Sequence, residues 1–86
     1  MSKLEKAIQR LKSIPRDYTY AEAKYLLGQF SFIELNKGKT SGSRVMFYRP
    51  YDKARIFLHK PHPKDIMSVA SVKDIIRSLR EIGEID

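Results

Sequence analysis

The sequence predicts an α+β domain in which helices cover one face of a three-stranded antiparallel sheet, in the order α-α-β-β-β-α. Three observations lead there. Two segments near the start pair a helix-capping signal with apolar residues at helical spacing, the apolar period then drops from 3.6 to 2 between residues 31 and 60, and a third helical stripe closes the chain. The connections between the period-2 segments are short, which suits antiparallel pairing and leaves no room for parallel crossovers.

The first helix begins at Ser2-Lys3-Leu4-Glu5, where hydroxyl and carboxylate stand three residues apart as in a capping box. Its stripe is Leu4, Ala7, Ile8 and Leu11, and Pro15 ends it by disfavouring helical geometry at Ile14. The second helix repeats the plan. Thr19 and Glu22 form its box, Ala23, Leu26, Leu27 and Phe30 make its stripe, and Gly28 lies near the stop.

Strands are expected over Phe32 to Leu35, Arg44 to Arg49 and Arg55 to Lys60, separated by the loop 36–43 and the turn Pro50-Tyr51-Asp52-Lys53. The last helix runs from about Val69 to Ile82, with Ser68 and Ser71 as rival N-caps. Val72, Ile75, Ile76 and Leu79 form its buried stripe, and Gly83 is its left-handed terminator.

Eighty-six residues, 42% of them hydrophobic, support one core and no second domain. So small a core leaves no room for a deep catalytic cavity, and any site must lie near solvent. There is no cysteine, which excludes disulfides and thiolate metal sites. No stretch approaches the roughly 20 apolar residues of a membrane span, and no secretory signal opens the chain, so the expectation is a soluble cytoplasmic protein without membrane contact.

The formal net charge is +7. It is unevenly spread, since residues 31–64 hold eight basic and two acidic groups while residues 65–86 hold three and five. Such a concentration of cations favours a polyanionic partner, because Lys and Arg displace counterions condensed on phosphate backbones.

Strand alternation says where those cations point. Val45, Phe47, Ile56 and Leu58 belong against the helices, so Arg44, Met46 and Tyr48 on one strand and Arg55, Phe57 and His59 on the next face away from the core. Cations for phosphates and exposed rings for unpaired bases suit RNA. Cross-strand pairing of Tyr48 with Phe57 on an ordinary solvated face is the competing account of those two rings.

Gly42-Ser43-Arg44-Val45-Met46-Phe47, then a basic hairpin, then Leu58-His59-Lys60-Pro61-His62-Pro63, then a helix ending at Ile82-Gly83, together resemble the HicA family over residues 20 to 85. The resemblance implies a double-stranded-RNA-binding-like fold and the toxin of a toxin–antitoxin pair, an endoribonuclease that cleaves messenger RNA and is neutralised by a HicB antitoxin. It implies a catalytic histidine after Gly-Ser at the start of the second strand. Here that position is Arg44.

An always-protonated arginine can hold phosphate or stabilise developing charge, but it is a poor general base. Cleavage by the 2′-hydroxyl needs proton transfers that histidine performs well, with its unperturbed pKa of about 6.5. His59, on the inferred face of Arg44, is therefore the candidate catalyst and Arg44 its electrostatic partner. Lys37, Lys39, Ser43, Tyr48, Arg55, Lys60, His62 and Lys64 are candidate RNA contacts. His62 is held extended between Pro61 and Pro63, which suits a positioning role. His59 and His62 lack a third ligand, so no metal is expected, and the loop 37–43 lacks the Gly-Lys-Ser/Thr ending of a nucleotide loop, so no nucleotide cofactor is expected either. On the last helix Lys73, Arg77 and Arg80 recur at i, i+4 and i+7, a second possible phosphate track interrupted by Asp74 and Glu81. Two alternatives stand beside the ribonuclease: an RNA-binding domain without catalysis, and a module whose basic face meets only an acidic protein.

Overall fold

A computed structural model of the chain describes residues 2–35, 44–61 and 64–86. The elements are α1 (Lys3–Lys12), α2 (Tyr20–Gln29), β1 (Ile33–Leu35), β2 (Arg44–Arg49), β3 (Ala54–His59) and α3 (Val69–Glu81), in the order expected. The three strands form one antiparallel sheet in the order β1-β2-β3.

Local chemistry accounts for the helix starts. Ser2 accepts from the Glu5 amide while the Glu5 carboxylate accepts from the Ser2 amide, and Thr19 with Glu22 repeats the reciprocal pair. Ser68, and not Ser71, caps α3, and its hydroxyl oxygen accepts from the Ser71 amide.

The helix ends follow one backbone rule with three different residues. Ile14, Ser31 and Gly83 each take a positive φ, at 50°, 71° and 80°, just past the ends of α1, α2 and α3. After α2 the Phe32 amide donates to the Leu27 carbonyl and the Ser31 amide to Gly28; after α3 the Glu84 amide donates to Leu79 and the Gly83 amide to Arg80. This is the paired closure of a Schellman end. Gly28 lies near the end of α2, as expected, and the reversal itself falls at Ser31, where the chain turns toward β1. At Ile14 only the inner bond to Leu11 forms, since Pro15 has no amide hydrogen to supply the outer one.

The core lies between sheet and helices. Val45 and Phe47 of β2 and Ile56 and Leu58 of β3 are buried with Leu26, Leu27, Val72, Ile75 and Leu79, as alternation requires. Helices α2 and α3 pack on β1 and β3 respectively, whereas α1 packs on α2 and α3. The first helix therefore braces the other two and is not a third cover for the sheet. Leu11, fully buried, is its anchor.

Strand ends differ slightly from expectation. Phe32 is buried ahead of β1, β3 begins at Ala54, and Lys60 lies just beyond it. The segment after residue 63 is tied in by a single bridge: the Met67 amide donates to Tyr18 at 2.7 Å and the Tyr20 amide to Asp65 at 2.9 Å. That bridge sets the exit from β3 beside the start of α2.

Candidate nucleic-acid interface

The hairpin joining β2 to β3 turns over four residues, with Lys53 in the left-handed region, and pairs Arg49 with Ala54. That register carries through to the far end of both strands, where Arg44 stands directly opposite His59. Met46 opposes Phe57 and Tyr48 opposes Arg55, and on the other side Ile33 and Leu35 oppose Tyr48 and Met46. Among the described residues eight strand side chains thus share the sheet face that points away from the core, and none of them is acidic.

The face has a plan. Its centre is apolar and accessible, with Phe57 48% and Ile33 51% exposed and Leu35, Met46 and Tyr48 half-buried. Its ends are cationic: Arg44 with His59 at one, Arg55 at the other, all three exposed. Directly opposed residues bring their Cβ atoms to about 5 Å, so one phosphate can meet guanidinium and imidazole together. The Arg44 guanidinium leans along β3 and lies over the Phe57 ring, 4.4 Å from its centroid. This diagonal contact pre-orders the cation, and among the described residues its edge donors are not otherwise engaged.

The other candidates separate from this face. Tyr48 and Arg55 lie on it. Lys60, past the strand end, turns its ammonium toward α2, 5.7 Å from the Tyr20 ring centroid and on the helix side. Lys64 is exposed and has no ion pair among the described residues. Lys37, Lys39, Ser43 and His62 fall outside the described residues. Among the described residues, no three His, Asp or Glu side chains gather as a metal-ligand set.

Two polar clusters flank the sheet from within. The Tyr20 hydroxyl donates to Glu34, whose carboxylate also meets Lys24 at 3.0 Å. The Tyr20 bond, with help from Lys24 and Lys60, holds the Glu34 carboxyl below the usual glutamate range against the opposing effect of burial. Arg49 is the second, only 2% exposed at the other end of β2. It bonds both Asp52 oxygens at 3.0 and 2.7 Å, Glu84 at 2.6 Å and the Phe30 carbonyl at 3.2 Å, while Phe32 and Tyr51 pack on its guanidinium. These bonds hold its pKa above the ordinary arginine value, those to Asp52 most of all. Sequence reasoning passed over Arg49, although its parity with Val45 and Phe47 already turned it inward.

No protein-family model, curated protein or solved structure matches this chain. The functional reading therefore rests on the chemistry of the open face and on the motif resemblance. Among the described residues no helix is long and apolar enough to cross a membrane.

Proposed function

We propose that the chain binds RNA on its open sheet face and acts there as a HicA-like endoribonuclease toxin, with a HicB-like antitoxin as its protein partner. The observation that carries this reading is the direct opposition of Arg44 and His59 at the end of an acid-free face with exposed aromatic surface. Bases stack on Phe57 and Tyr48, and Arg44 and Arg55 hold phosphates at the two ends. The order from α2 to α3, α-β-β-β-α, supports a double-stranded-RNA-binding-like fold to which α1 is an N-terminal addition.

At the Arg44 end, a 2′-hydroxyl attacks its own phosphorus and the 5′-oxygen leaves, giving a cyclic phosphate and a free 5′-hydroxyl. His59 serves one of the two proton transfers and solvent water the other, and Arg44 stabilises the charge that builds on the non-bridging oxygens. The imidazole thus works from β3, across from the place where the resemblance would put it.

The guanidinium at that place favours a second reading, RNA binding without cleavage. One experiment separates the two. Purified protein is incubated with unpaired RNA, and both binding and cleavage products are followed for the wild type, His59→Ala and Arg44→Ala. The ribonuclease reading expects cyclic-phosphate products from the wild type and their loss in His59→Ala with RNA still bound. Binding without products leaves the second reading standing, and absence of both refutes the RNA function.

A further inference from the structure

The cations of α3 acquire a partner that their spacing alone did not reveal. Lys12, from the last turn of α1, meets Lys73, Arg77 and Arg80 around a groove of about 450 Å³ whose apolar floor includes Ile14 and Ile76. Four cations from two helices converge there. Arg77 is held by Asp74 at 3.0 Å, the Arg80 Nε donates to the Asp86 carbonyl at 2.9 Å, and Glu81 also borders the groove. Among the described residues neither lysine has an ion-pair partner, and each arginine keeps donors beyond the bond it makes. Cations thus outnumber carboxylates around a concave surface on the helical side of the molecule.

We infer that this α1–α3 groove is a second phosphate-backbone site, holding the stretch of RNA that runs on from the open sheet face; the inference rests on the RNA reading above. Position supports one continuous path. Arg49, the last residue of β2, bonds Glu84 just beyond α3, so the C-terminal end of α3 lies at the hairpin end of the sheet, the end at which Arg55 stands on the opposite face. A strand leaving the face past Arg55 reaches Arg80 and Arg77 first and then Lys73 and Lys12. The exposed Lys53 lies in the hairpin at that same end of the sheet. The site recognises charge and not base identity, as guanidinium and ammonium groups around an apolar floor would.

The test compares a long unpaired oligoribonucleotide of about 20 nucleotides with one of about four, which fits the sheet face alone. Lys73→Gln/Arg77→Gln changes two exposed positions outside the core. Each phosphate contact on a single strand contributes about 0.7 to the dependence of log K on log salt, so loss of two makes that slope shallower by about 1.4. Near physiological salt this corresponds to about a tenfold loss of affinity. The expected result is that loss for the long RNA and none for the short one. Unchanged binding of the long RNA, in the presence of a clear loss from Arg55→Gln, overturns the inference and spares the sheet face. An equal loss on both lengths also overturns it. If the wild type binds neither RNA, the open-face reading fails as well.

Discussion

Phe57→Val isolates the stacking surface. The ring is 48% exposed at the middle of β3 and bears the Arg44 guanidinium. A phenylalanine side chain presents about 200 Å² when fully exposed, so roughly 100 Å² remains for a base to cover. At about 25 cal/mol per Å², that area is worth about 2.5 kcal/mol, within the range of about 1–3 kcal/mol for stacking one base on an aromatic side chain. Valine keeps the strand preference but removes the flat π-face, and it also frees Arg44. The expected loss is about 2 kcal/mol, or about 30-fold in Kd. Fluorescence anisotropy with a labelled unpaired oligoribonucleotide measures it, and urea denaturation checks that the fold survives. Phe57→Tyr, with the ring retained, should stay within about threefold of the wild type. If folded Phe57→Val binds as tightly as wild type, the face is not a stacking platform and the reasoning from exposed rings fails.

The remaining expectations concern the scaffold. Arg49→Met should destabilise the protein by about 2–3 kcal/mol, less than the most severe losses of a buried ion-pair partner because Glu84 and Asp52 retain access to water; a urea midpoint equal to wild type would refute the clasp. Stability should fall as pH drops below the ordinary glutamate range near 4.5, since the folded state holds the Glu34 and Glu22 carboxyls below it and the unfolded chain takes up their protons first. Glu34→Gln should flatten part of that fall in an acid titration followed by circular dichroism. Ser31→Gly should stabilise by about 0.5–1 kcal/mol, because φ of 71° carries a steric cost that glycine avoids, read as a rise in the denaturation midpoint.

Much of the architecture was legible because it depends on neighbours in the chain. The two capping boxes, the left-handed Gly83 and the outward set Arg44, Met46, Tyr48, Arg55, Phe57 and His59 all follow from interactions or alternation within a few residues. The left-handed residues that close α1 and α2 are less legible. Glycine is the usual signal for a left-handed residue, yet Ser31 and Ile14 occupy such positions here, held by closing bonds and by packing on either side.

Sequence alone thus determined the element order, the core face of the sheet and the β2 and β3 members of its open face, since each is a short-range property of period and capping; that Ile33 and Leu35 join them was decided by the pairing of β1. Tertiary structure decided what those elements meet. The opposition of Arg44 and His59 depends on hairpin register, the inward turn of Lys60 on the place of Tyr20, and the stacking of α1 on the other helices on where Leu11 finds its pocket. Arg49 gathers a carbonyl 19 residues away and a carboxylate 35 away. No local rule contains such partners, because a buried charge takes whichever distant groups the closed fold brings within reach.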